Sequence, residues 1–163
     1  TLLVRHAGSQ ISYNLTNGNY NGTFNVRAVA SMKKDDFLAA FGSESKADEM
    51  IKDIGFVFAK ASVVPTIDIA DVKKMVENGE SVSGLTKKEI SKISRTLVPG
   101  YYSFTCLVTE IADEAKNDSL VAVGYVAWDS DADGDADTYA YYNAAKSVSF
   151  ADLYNEYYSK VVG

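Results

Sequence analysis

The chain contains one cysteine and one histidine, and each shortage removes a class of chemistry. A lone thiol, Cys106, cannot close an internal disulfide, so a disulfide-stapled scaffold is excluded while secretion is not. It falls in an alternating apolar run with Tyr102, Phe104 and Val108, the setting of a small buried hydrophobe. A serine or cysteine triad would have to rest on His6, which sits in a strand-like segment and reads as a half-buried structural residue. No stretch of about eighteen apolar residues is present, so no segment has the pattern of a membrane-spanning helix. No basic patch interleaved with aromatics is present either, so nucleic acid is not an expected partner. A nucleophile elbow, an H-E-x-x-H pair and a Walker loop are all missing. Glycoside hydrolysis needs two carboxylates fixed across a cleft, and no pattern pairs Glu110, Glu114 or Asp118 in that way. The expectation is a protein that is not an enzyme.

What remains is ordinary globular material: 163 residues, 47% hydrophobic and 23% charged. That is enough for one domain, 1–163, with a substantial core. The chain opens at Thr1 without a start methionine, as a processed mature chain or an artificially trimmed one does. The net charge is −6, and nearly all of it comes from one stretch, Asp129 to Asp137. The acidity is local, and it points to a cation site more than to a uniformly acidic surface.

That stretch is the centre of the sequence. Asp129, Asp131, Asp133, Asp135 and Asp137 recur at every second position, with Gly134 between the third and fourth. The pattern matches the opening of the D-x-D-x-D-G calcium loop, in which small oxygen ligands alternate and glycine permits a sharp turn. It departs from the helix–loop–helix form at position twelve, where Ala140 replaces the bidentate glutamate. The flanks AVGYVAW and TYAYYN are also rich in strand-forming residues. Two readings stand: a Ca2+-binding hairpin turn, or a solvated hairpin turn around Asp133-Gly134. Crowded carboxylates repel unless a cation neutralises them, and this favours calcium. Asp129, Asp131, Asp133 and Asp137 are then the side-chain ligands, with Asp135 contributing its backbone carbonyl.

The periodicity around this turn predicts a mainly β, α+β domain, an antiparallel sandwich or sheet with about three short peripheral helices. LLVRHA and QISYNL read as one or two strands, followed by turn chemistry in TNGNYNG (Thr16 to Gly22). Alternation predicts strands at Phe24–Ala30, Ile54–Lys60, Tyr101–Thr109, Leu120–Trp128 and Tyr139–Ala145. The span from Ser31 onward reads as a short helix or irregular loop. Helices are predicted near 69–78, capped by Asp68 or Asp71 and ended at Asn78-Gly79; near 87–97, from a Thr86-x-x-Glu89 capping box; and near 150–161. Asn14-Leu-Thr16 and Asn21-Gly-Thr23 formally match glycosylation acceptors.

The pieces FNVRAVA, IGFVFAK, YYSFTCLVTEI, LVAVGYVAW and YAYYNAAKSVSF, from Phe24 to Phe150, resemble in their order a domain that recurs in large secreted and cell-surface proteins of clostridial and ruminococcal bacteria. The resemblance implies an extracellular β-rich accessory domain, beside carbohydrate-active enzymes, adhesins or starch-adherence modules, with further domains as neighbours. The DADGDAD stretch departs from it, since a shorter turn is usual there. The family carries no agreed set of binding residues to transfer.

Sugars stack their C–H faces on exposed aromatic rings. Trp128 ends its strand beside the acidic turn, and Tyr139 and Tyr141 stand on the returning strand, so these three are the candidate platform for a polysaccharide. The bland alternative is that they are core. Tyr142 shares the strand, and Tyr13, Tyr20, Tyr154, Tyr157 and Tyr158 read as structural. The expected function is a non-catalytic, calcium-stabilised carbohydrate-binding module. The alternative is a structural or adhesive repeat of a surface protein or fibre, joined to neighbours by strand addition.

Overall fold

The structure is a computed structural model. It describes residues 2, 4–90, 93, 99–112, 114, 119–141 and 146–149, with backbone alone at 6–11, 119 and 146–149. Among the described residues eight strands and three helices follow one another as β1 (Arg5–Thr16), β2 (Asn19–Lys33), α1 (Lys34–Phe41), α2 (Glu44–Met50), β3 (Ile51–Lys60), α3 (Ile69–Asn78), β4 (Thr86–Glu89), β5 (Tyr101–Ala112), β6 (Ser119–Trp128), β7 (Thr138–Tyr141) and β8 (Lys146–Ser149). They form two antiparallel sheets, so the predicted mainly β fold with short helices is the observed one. The first sheet runs β1-β2-β5; the second runs β4-β3-β6-β7, with β8 pairing the other half of the same edge of β6.

Alternation in β2 and β5 sets one face of the first sheet. Ala28 pairs with Cys106, Ala30 with Phe104 and Met32 with Tyr102, and all six are buried. Opposite them the second sheet presents Ile54, Phe56 and Val126, and Phe56 meets Phe104 with ring centroids 5.2 Å apart. The two sheets therefore pack face to face as a sandwich. Phe24, Val26 and Leu120 continue the core towards the other end, with Phe58 and Ile111 packed on them. Cys106 is a buried free thiol, as its place in the alternation implies.

The connections obey local chemistry. Asn17 and Gly18 make the two-residue β1–β2 turn with φ of 53° and 81°, the left-handed pair that a twisted hairpin demands. In α3, the Asp68 side chain accepts from the Ala70 N–H at the N-terminus, and Gly79, with φ 67°, ends the helix in left-handed conformation, as the sequence predicted. Two further helices, α1 and α2, occupy the span after Ser31. Phe37 and Phe41 of α1 lie four residues apart on one face. They reach into both sheets, Phe37 edge-on to Tyr102 and Phe41 edge-on to Trp128.

One predicted helix is corrected. Thr86–Glu89, read as the start of a helix over 87–97, is strand β4, paired with Phe58–Gly55 of β3. A capping box acts only if a helix follows, and here the open edge of β3 offers backbone partners instead. The Ile90 N–H extends the pairing to the Ile54 carbonyl at 2.7 Å. Lys87 and Lys88 also find partners on opposite faces, Lys87 on Asp53 and Lys88 on the Leu107 carbonyl. The strand predicted over Tyr139–Ala145 is observed from Thr138 to Tyr141; 142–145, most of 91–98 and the helix predicted at 150–161 lie outside the described residues.

Candidate metal centre and neighbouring aromatics

The acidic stretch is the loop between β6 and β7, and its two ends are pinned. The Asp129 N–H donates to the Met50 carbonyl at 2.8 Å, and the Asp137 N–H donates to the Trp128 carbonyl at 2.9 Å. Under this base Trp128 is buried, 8% exposed, with its ring 5.3 Å from that of Phe41. The loop thus stands on a packed aromatic floor.

Within the loop, backbone N–H groups turn inward onto the first carboxylate. Asp129 Oδ1 accepts from Asp131 and Asp133, and Oδ2 accepts from Gly134 at 2.7 Å. Gly134 has φ 95° and Ala132 61°; the glycine carries the sharper turn that the calcium-loop pattern assigns to it. Asp133 Oδ1 accepts from the Asp135 N–H. Asp137 Oδ1 accepts from the Ser130 N–H, the Ser130 hydroxyl and the Thr138 hydroxyl.

As a result, Asp129, Asp131, Asp133 and Asp137 each bring a carboxylate oxygen to within 4.8 Å of the others. Oxygens on opposite sides of a calcium ion stand about 4.6–5.2 Å apart, twice the usual bond length, while magnesium needs a tighter cage. Four hard oxygen donors within that span could hold a metal ion. The side chain of Asp135 is not in the group; that residue takes part through its backbone N–H. Ser130 and Thr138, which orient Asp137, were not singled out from the sequence, since a hydroxyl beside an acidic run carries no pattern of its own.

The electrostatics match this crowding. A hydrogen bond from Asp131 to Asp129, and then desolvation, push the Asp131 carboxyl up to about 6. Desolvation opposes ionisation of Asp129, but the Gly134 N–H, the Asp131 carboxyl and the other inward N–H groups outweigh it and lower its pKa. Donors from Thr138 and Ser130 hold Asp137 down to about 2. Among the described residues no lysine or arginine forms an ion pair with any aspartate of the loop.

The three aromatic residues proposed as one platform do not share a face. Trp128 pairs with Thr138 and Ala127 with Tyr139, so Trp128 points into the sandwich while Tyr139 and Tyr141 point away from it. Tyr139 and Tyr141 do come together, both half-buried, with rings 10° from parallel and 6.4 Å apart. The Tyr139 hydroxyl donates to the Ala136 carbonyl at the foot of the loop, and the Tyr141 hydroxyl donates to Glu77 of α3 at 2.7 Å. Desolvation, and then Glu77, raise the pKa of Tyr141 well above its ordinary value. Tyr142, Tyr154, Tyr157 and Tyr158 lie outside the described residues, as does the side chain of His6.

A second polar cluster occupies the same face. Gly55 lies directly between Glu89 on β4 and Tyr125 on β6. A Cβ on Gly55 would stand 2.1 Å from the Lys88 carbonyl and 3.0 Å from the Tyr125 hydroxyl, so only glycine leaves room there. Across that gap the Tyr125 hydroxyl donates to Asp53 Oδ1 at 2.8 Å. Lys87 Nζ sits 2.8 Å from Asp53 Oδ2 and 3.2 Å from Glu89, and 5.5 Å above the Tyr125 ring. No helix among the described residues is long and apolar enough to cross a membrane. No family model, curated protein or solved structure matches the chain.

Proposed function

We propose that this chain is a non-catalytic, extracellular binding module in which the β6–β7 loop holds a structural calcium ion and the Tyr139–Tyr141 pair meets a polysaccharide. The observation that carries the reading is the convergence of four carboxylates to which no lysine or arginine among the described residues is paired. A cation there would fix the loop, and the loop in turn supports Tyr139 through the Ala136 carbonyl. Two nearly parallel tyrosine rings with half-buried bodies supply an apolar surface, which is what a sugar face requires. Secretion would supply the millimolar calcium that fills such sites even at dissociation constants of about 0.1–1 mM.

Affinity gels cast with starch, xylan, cellulose or mucin test the ligand. Retardation on one of them, lost in Tyr139→Ala with the melting temperature nearly unchanged, is the expected result. Free migration on all four would remove the polysaccharide. A second reading, a structural or adhesive repeat of a surface protein, draws on the long β1–β2 hairpin, whose tip leaves Leu15 61% exposed. Concentration-dependent assembly in light scattering would favour it.

A further inference from the structure

On the outward face of the second sheet, Lys87, Asp53, Glu89 and Tyr125 hold more than an ion pair requires. The Lys87 nitrogen touches one oxygen of Asp53 at 2.8 Å. The other oxygen takes a hydrogen bond from the hydroxyl of Tyr125, a residue with no exposed surface. Glu89 stands 3.2 Å from the same nitrogen. The two principal groups are about four-fifths buried and belong to neighbouring strands. We propose that Lys87 and Asp53 condense into an amide, an intramolecular isopeptide bond that fastens the short edge strand β4 to β3.

The chemistry balances without a co-reactant, because an ammonium and a carboxylate together contain the atoms of one amide and one water. One ammonium proton passes to Asp53 Oδ2, giving a neutral amine and a neutral acid. The amine nitrogen then attacks Cγ, and the negative charge that develops on Oδ1 meets the Tyr125 hydroxyl already aimed at it. Glu89 takes a second proton from nitrogen and returns it to Oδ2, whose bond to Cγ breaks as water leaves. Contact distance between the reacting groups supplies the proximity. Burial opposes the charge on Lys87, but Asp53 and Glu89 outweigh it and raise its pKa. The neutral pair is thus a minor state, and a slow, single event per molecule is expected, with no turnover.

The intact mass of the purified chain, followed during incubation at neutral pH, gives the test and needs no variant. The expected result is the sequence mass less one water, with trypsin failing to cut after Lys87 and one branched peptide joining Lys87 to Asp53. Asp53→Asn is expected to lose ammonia in place of water, Lys87→Arg to keep its full mass, and Glu89→Gln to convert about 100-fold more slowly. An unchanged mass after prolonged incubation, with Lys87 cleaved normally, would overturn the proposal and leave an ion pair. Loss of water mapped to a succinimide at Asp133-Gly134 would overturn it equally.

Discussion

The second sheet carries two clusters of carboxylates, and they handle the same electrostatic problem in opposite ways. Asp53 and Glu89 face a cation of the protein's own, Lys87. Among the described residues Asp129, Asp131, Asp133 and Asp137 crowd together with no such partner, relying on inward N–H groups. A cluster with an internal counter-charge is complete as it stands. One without could hold a metal ion from outside, and that difference separates the two.

The two clusters are independent only if they rest on different supports. Trp128 floors the acidic loop from within the core, so Trp128→Ala is expected to destabilise the fold by about 3–5 kcal/mol. The loss should appear in denaturant unfolding with and without calcium alike, and without any selective change in glycan retention. A protein that melts normally but no longer binds a polysaccharide would return Trp128 to the ligand face.

Next in size, Lys87→Met leaves the Asp53 carboxylate four-fifths buried and without its cation. A loss of about 1–3 kcal/mol is expected, while calcium affinity stays unchanged. Altered calcium affinity would mean that the two clusters are coupled. Glu89→Gln, at a side chain 73% exposed, should cost less than about 0.5 kcal/mol before any covalent change.

The smallest effect sharpens the contrast through pH. The Asp131 carboxyl, raised to about 6, exceeds its unfolded value of about 3.9. Its proton therefore stabilises the calcium-free fold fully below the unfolded value, and that contribution is lost as pH rises through about 6. Calcium competes with the same proton, so the dissociation constant should rise about tenfold between pH 7 and pH 5. Calorimetric titrations at the two pH values check this, and Asp131→Asn should flatten the dependence. An equally steep dependence in that variant would place the titrating group elsewhere.

The two clusters also differ in how far they can be read from the chain. The loop's carboxylates lie within nine residues, so alternation and one glycine were enough to pick out the four that converge. Helix α3 was equally legible, because Asp68 and Gly79 act on their own neighbours. The cluster of Lys87, Asp53 and Tyr125 joins three strands, and nothing local marks it. The same distance explains β4: Thr86-x-x-Glu89 looks like a helix start until the edge of β3 and the Asp53 carboxylate are in place. Trp128 and Tyr139 were grouped by nearness in sequence, while the pairing of Trp128 with Thr138 decides that they face opposite ways. A hairpin's register, with a nine-residue loop inside it, cannot be counted from the residues alone.

Calorimetric titration of calcium into the chelator-stripped protein, with melting curves recorded in parallel, decides whether the β6–β7 loop binds a cation. One saturating ion per chain is expected, with a stability gain of about 1.4 kcal/mol at ten times the dissociation constant. The heat should vanish in Asp129→Asn, whose carboxylate organises the loop. No heat of binding, together with coincident melting curves in chelator and in calcium, would rule out the calcium site and leave the loop a solvated acidic turn.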